Sequence, residues 1–141
     1  MKIRFFKNKV PNEAKHIRNE VFVKEQGFHD EFDEKDASSV HFVMYTDDGI
    51  AIATSRAFPF DENGSYCIGR IAVIKEMRNQ KLGSKIVTAA EGYIKSVGGK
   101  TAIIHAQKRA EGFYRAIGYT VFGDEDTEEG CPHVWMKKSL Q

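Results

Sequence analysis

Residues 2–7, Lys2-Ile3-Arg4-Phe5-Phe6-Lys7, alternate apolar and charged side chains and predict a first strand. Residues 11–26 place Ile17, Val21 and Phe22 on one helical face. Asn12 is the expected cap of that helix and Gly27 its terminator. Residues 28–39 are acidic and irregular. Two strands are predicted over 40–45 and 50–58, joined by Asp47-Asp48-Gly49, a hairpin turn signal. A second loop spans 59–65, and 66–74 returns as strand, its run from Ile68 to Ile74 apolar enough to be buried.

Leu82, Ile86, Ala90, Tyr93, Ile94 and Val97 form one stripe of the next helix, which Gly98-Gly99 ends. Residues 101–106 form a short apolar strand. A short helix over 108–117 puts Ala110, Phe113 and Ile117 toward the core, with Gly118 at its end. Tyr114 then lies about 100° further round. The last strands are predicted at 119–122 and 133–137, with 124–130 as the link. The order β-α-βββ-α-β-α-β-β predicts an α/β fold, one mixed sheet with helices on both faces.

The chain of 141 residues is one domain's worth, so residues 1–141 are expected to form a single unit. Hydrophobic residues at 41% and charged residues at 29% suit a soluble globular protein. A net charge of +1 without a basic run argues against nucleic acid as a partner. No stretch approaches the ~20 apolar residues that cross a bilayer, and the charged amino terminus does not read as a signal peptide. Cys67 and Cys131 make no disulfide framework. These features suggest a cytoplasmic protein without a membrane partner. Cys131 and His133 have no third nearby ligand for zinc, and the acidic run at 30–36 lacks the spacing of a calcium loop, so no metal is expected. Gly130 and Pro132 favour a turn around Cys131.

Candidate chemistry begins at Arg78-Asn79-Gln80-Lys81-Leu82-Gly83-Ser84, between the buried strand and the long helix. The first N–H groups of a helix have no intrahelical partner, and the helix dipole is positive there. Gly83 lets a ligand approach the backbone, and Arg78 and Lys81 add charge. This is an anion site suited to a pyrophosphate. The segment resembles the acyl-CoA loop of the GCN5-related N-acetyltransferases, whose pattern is Arg/Gln-x-x-Gly-x-Gly/Ala. Arg78 and Gly83 match, while Lys81 stands where the first glycine is usual.

Three distant features extend the resemblance along nearly the whole chain. Phe113-Tyr114-Arg115-Ala116-Ile117-Gly118-Tyr119 is similar to the family's Phe-Tyr-x-x-x-Gly-Tyr/Phe helix. The matching tyrosine there lies beside the thioester sulfur; packing or plain cofactor contact is the alternative for Tyr114. Gly130-Cys131-Pro132-His133-Val134-Trp135-Met136 resembles the Gly-x-Pro-His-x-x-Met ending of a bacterial subset that includes the glyphosate N-acetyltransferases. The matching histidine is the candidate general base; the alternative for His133 is a strand histidine satisfied by a backbone carbonyl. Arg18-x-x-Val21-Phe22-x-x-Glu25-Gln26, followed by Glu31, Asp33 and Asp36, resembles the start of the same small acetyltransferases. It also resembles acyl-homoserine-lactone synthases, although the tryptophan expected after Val-Phe is missing. Glu25 and the acidic residues read either as a solvated loop or as a wall of the acceptor site.

The resemblance implies the GNAT acyl-CoA N-acyltransferase fold, with a mixed, mostly antiparallel sheet, and direct transfer of acetyl from acetyl-CoA to an amine of a small molecule or peptide. Ile71, Ala72 and Val73 would pair with the pantetheine arm, and Arg78, Asn79, Gln80, Lys81, Leu82, Gly83 and Ser84 would hold the pyrophosphate. Tyr114 would serve the leaving thiolate, and His133 would deprotonate the amine, with Glu25 acting through water as the other candidate. Glu25, Arg70 and His105 are the expected acceptor-side residues. Arg56, Arg70 and the acidic loops leave the acceptor's charge open. A homodimer is common in the family. The competing implied functions are a silent acyl-CoA-binding or regulatory module and an acyl-homoserine-lactone-synthase-like enzyme.

Overall fold

In the computed structural model, which describes residues 1–29 and 32–141, seven strands join in one sheet. They are β1 (Lys2–Lys7), β2 (Val40–Tyr45), β3 (Ala51–Pro59), β4 (Ser65–Val73), β5 (Thr101–Gln107), β6 (Thr120–Glu128) and β7 (Cys131–Ser139). The spatial order is β1-β2-β3-β4-β5-β7-β6. Every pairing is antiparallel except β4 with β5. Two longer helices, α1 (Asn12–Arg18) and α2 (Leu82–Ser96), cover opposite faces, and a short α3 (Glu111–Ala116) lies beside α2.

The period-2 pattern of β2 explains the two layers. Phe42 and Met44 point to the α2 side, where Leu82, Ile86, Val87, Ala90 and Ile94 are buried. Val43, between them, points to the α1 side and packs with Ala14, Ile17, Val21 and Ala72. Each fully buried Ile or Leu contributes roughly 1.5–3 kcal/mol relative to exposure, so the α2 stripe anchors the sheet. At the end of α2, Gly98 takes φ +86° and Gly99 packs against the last turn. A Cβ on Gly99 would lie 2.2 Å from Ile94 Cγ2. Val97, expected in the stripe, is exposed because the helix ends at Ser96.

Other expectations are corrected. The helix expected over 11–26 is α1 followed by a wider, π-type segment, Asn19–Glu25, in which Gln26 N–H donates to the Val21 carbonyl five residues back. Pro11, extended at φ −68° and ψ 154°, precedes the first turn. Asn12 is already helical and makes no cap. Within the acidic region, Glu34–Ser38 forms a 3₁₀ turn held by a capping box between Asp33 and Asp36. Glu31 lies outside the described residues.

The link expected at 124–130 is mostly strand. β6 runs to Glu128 and β7 starts at Cys131, so only Glu129 and Gly130 turn, both at positive φ. The charged residues of β6 suggested a loop because they suit no core. They suit an exposed edge strand, whose charges discourage pairing with another chain. Cys131 accordingly opens a strand and not a turn.

Candidate active site

β4 and β5 pair in parallel over only three positions, Ser65↔Thr101, Tyr66↔Ala102 and Cys67↔Ile103. Beyond them β4 stays with β3 while β5 stays with β7, and the sheet splays open. A bulge sharpens the opening: Thr54 pairs with Ala72 and Arg56 with Gly69, so Arg70 and Ile71 together oppose Ser55. Arg70 sits at φ +49°, an uncommon conformation for a residue with a Cβ. The splay holds a cavity of about 470 Å³. Ile68, Gly69, Ile71, Ile104 and Ala106 form its floor, and Tyr114, His105, His133 and Trp135 lie on its walls. A larger concavity of about 760 Å³ near His16 and Glu20 reaches Glu25 but contains none of Tyr114, His105 or His133. The chemistry-bearing residues make the smaller cavity the candidate site.

Tyr114 is buried, contrary to the expectation that Phe113 occupies the core. Phe113 is 40% exposed, and its ring lies over Gly83, where a Cβ would come within 3.2 Å of it. Ala110 and Ile117 pack against the core as expected, and Tyr114, four residues after Ala110, shares their face in place of Phe113. Burial alone pushes the Tyr114 phenol well above its usual range, so it stays protonated and available as a donor. Cys67, also lining the cavity, is pushed up by burial to about 11, which keeps it a thiol.

His133 is 4% exposed, and its Nδ1 lies 2.8 Å from the Cys131 carbonyl. The carbonyl contact is the one expected of a strand histidine. A backbone carbonyl satisfies one nitrogen, while the ring still lines the cavity. His105 stacks on Trp135 at 4.2 Å and 18°, and its centroid is 4.7 Å from that of His133. His105 Nε2 pairs with Asp126 at 2.7 Å. Gln107 Nε2 donates to Gln26 Oε1 at 2.8 Å, which ties the end of β5 to the end of the π-type segment.

Arg78 is not a free cation beside the loop. Its Nη1 and Nη2 donate to Glu25 at 2.8 and 2.6 Å, and its Nε donates to the Val73 carbonyl at 3.1 Å. The bonds from Arg78 hold the Glu25 carboxyl below its usual range, against a smaller upward push from burial. Both Glu25 oxygens are engaged, which makes it a poor base. Asn79 and Lys81 adopt φ +67° and +62°. The family's first glycine therefore stands where Lys81 here takes a left-handed backbone, at a cost of about 1–2 kcal/mol. Leu82 is buried in the core, so only its backbone can face a ligand. No side chain caps α2, and the first-turn N–H groups at Leu82, Gly83 and Ser84 remain available to an anion. Ile71 lines the cavity, whereas Ala72 points to the α1 side.

A charge network adjoins the cavity. Arg18 donates to Asp36 at 2.9 and 3.1 Å, and Arg56 bonds both Asp36 and Asp33. Arg70 reaches Asp33 at 3.2 Å. The arginines that left the acceptor's charge open are thus partners of Asp33 and Asp36. Among the described residues no group of His, Cys, Asp and Glu has the geometry of a metal site, and no helix is long and apolar enough to cross a membrane. Glu128, Asp126, Gln107 and Trp135 were missed as site residues. Strand parity would have grouped them with His133 and His105, had 124–130 been read as strand.

A splayed β4–β5 pair, a bulged β4 and an uncapped helix after a positive-φ loop define an acyl-CoA N-acyltransferase fold, and the comparisons agree. The acetyltransferase (GNAT) domain family matches residues 7–140, and the chain belongs to that family. A Bacillus subtilis chain with a provisional acetyltransferase name is 36% identical over 130 residues, covering 89% of this chain and 86% of its own. A solved Lactobacillus plantarum structure with a provisional N-acetyltransferase name has a TM-score of 0.89 at 32% identity, covering 99% of this chain and 98% of that one. An aminoglycoside 6'-N-acetyltransferase solved with coenzyme A shares the fold, with a TM-score of 0.76 at 15% identity over 100% and 98% of the two chains.

Proposed function

We propose that this chain is an N-acetyltransferase that moves acetyl from acetyl-CoA directly to an amine of a small molecule or peptide. The observation that carries the reading is the splay itself. It leaves β4 beyond Cys67 without a neighbour on its β5 side, and Tyr114 and His133 line the cavity that results. A pantetheine arm can pair with the free edge near Ile71 and Val73 as a short added strand. The uncapped N-terminus of α2 suits the pyrophosphate, with Asn79, Gln80, Lys81 and Ser84 around it. The solved coenzyme A complex of a protein with the same fold supports this donor.

In this reading the cleft aligns donor and acceptor, which removes much of the entropic cost of their meeting. His133 takes a proton from the amine, and Tyr114 donates to the departing thiolate. No covalent intermediate on the protein is required. Glu25, engaged by Arg78, acts as a structural wall of the acceptor side. One unit spanning residues 1–141 is the proposed arrangement.

The test is an amine panel with acetyl-CoA, reading free thiol. Amine-dependent thiol release is expected. Tight acetyl-CoA binding without release on any amine would replace the reading by a silent acyl-CoA-binding module. Activity that required S-adenosylmethionine would replace it by a homoserine-lactone synthase.

A further inference from the structure

His105, His133, Trp135, Asp126 and Glu128 project from one face of the sheet. Positions two apart on a strand share a face, and the registers set His105 opposite Trp135, Asp126 opposite His133, and Glu128 opposite Cys131. Each imidazole has one nitrogen whose role is set by its partner. The Cys131 carbonyl can only accept, so His133 Nδ1 carries a hydrogen. The Asp126 carboxylate, ionised in its bond to His105, can only accept as well, so His105 Nε2 carries a hydrogen. In the neutral rings the remaining nitrogens are lone pairs.

Both of these nitrogens lie near the same atom. Glu128 Oε2 lies 3.6 Å from His133 Nε2 and 3.9 Å from His105 Nδ1. With both rings neutral, the two nitrogens and the carboxylate oxygen are three neighbouring acceptors. The His133 side chain is only 6% exposed, so little solvent reaches the ring. Neighbouring acceptors with like partial charge favour a guest that brings donors. A primary ammonium brings three N–H donors and a positive charge. Glu128 itself is half-exposed at 49%, which leaves the site open to a ligand from the cavity it lines.

We propose that Glu128 Oε2, His133 Nε2 and His105 Nδ1 form a three-point subsite that takes the acceptor amine as its primary ammonium, with Glu128 as the charged recognition residue. Its part in turnover rests on the acyl-transfer reading above; its binding of ammonium does not. Once the ammonium is seated, His133 Nε2 takes one of its protons. The N–H bond breaks, and the electron pair stays on the amine nitrogen. The imidazolium so formed lies beside the Glu128 carboxylate, which stabilises it. The nitrogen pair then forms the C–N bond to the acetyl carbon, and the C–S bond breaks with its pair on sulfur. A second amine proton ends on sulfur, and the proton held by His133 passes to solvent.

The experiment reads the imidazole NMR resonances of the full chain at neutral pH without acetyl-CoA. The probes are n-butylammonium, N-methylbutylammonium, tetramethylammonium and zinc ion. Expected are saturable shifts of both His105 and His133 with n-butylammonium, weaker binding of the secondary ammonium, and no binding of tetramethylammonium. Glu128→Gln should weaken n-butylammonium at least tenfold. Glu125→Gln, on the same strand but paired with Lys108, should leave it unchanged. Equal binding of tetramethylammonium would assign the cation to the aromatic wall and overturn the proposal. Equal binding of the secondary ammonium, or unchanged affinity in Glu128→Gln, would overturn it too. Zinc binding that displaces n-butylammonium at far lower concentration would make the cluster a metal centre. Because acetyl-CoA is absent, these outcomes are separate from the failure of thiol release.

Discussion

Arg78 donates two hydrogen bonds to Glu25 and a third to the Val73 carbonyl, linking the loop before α2, the edge of β4 and the π-type segment through one side chain. The pair is about one-third exposed on each side, so it contributes little to stability. Its importance lies in competition, because a carboxylate and a pyrophosphate both suit the same guanidinium. Glu25→Gln should raise coenzyme A affinity about three- to tenfold and leave pantetheine affinity unchanged, on the basis of ~1 kcal/mol for such a pair. Calorimetric titration of both ligands checks this. Unchanged affinity for both would show that Arg78 stays on Val73 and that the loop backbone holds the phosphates.

Tyr114→Phe removes one oxygen and keeps the ring that packs against Phe113 and Tyr119. Turnover should fall by about 10²-fold, the lower end for general acid help, with acetyl-CoA affinity nearly unchanged. Separate measurement of kcat and acetyl-CoA binding decides it. Wild-type turnover in the variant would leave Tyr114 a packing role.

For His133→Ala the expected loss in turnover is roughly 10²–10⁴-fold, with acetyl-CoA binding retained. The pH–rate profile of the variant should lose the rise that deprotonation of the base produces. Should rate and profile both persist, His105 becomes the base to examine, since its ring stacks beside His133 and Glu25 is engaged by Arg78.

Asp36 anchors the charge network beneath the acceptor wall. Burial pushes its carboxyl up, but the bonds from Arg18 and Arg56 outweigh this, and it ends below the usual carboxylate range. Its stabilisation is therefore fully present above the unfolded value of about 3.9 and is lost as pH falls through the lower folded value. Asp36→Asn removes the carboxylate that Arg18 and Arg56 share and should cost about 3 kcal/mol at neutral pH. Denaturant melts as a function of pH check both points. The variant should also show a flatter acid limb than the wild type, and an equally steep limb would assign it to other carboxylates.

Local sequence pattern determined most elements of this protein. Alternation in β2, the stripe of Ile86, Ala90 and Ile94, and Gly98-Gly99 are short-range signals. Each reports a period of burial or a backbone requirement that the chain satisfies locally. The same is true of the helix start after Lys81. Periodicity failed where a local rule met a tertiary one. The charged β6 is a strand because β7 pairs with it, and Tyr114 is buried in place of Phe113 because it joins Ala110 and Ile117 on the face packed against the core.

The proposed acceptor site depends on tertiary structure. Glu128, His133 and His105 come from three strands, and only the sheet register brings the two histidine nitrogens near one Glu128 oxygen. Arg78 reads in sequence as a phosphate ligand, yet Glu25, 53 residues away, takes its guanidinium. A side chain's charge is written in the sequence, but its partner is set by which distant element the packed core places within hydrogen-bond reach.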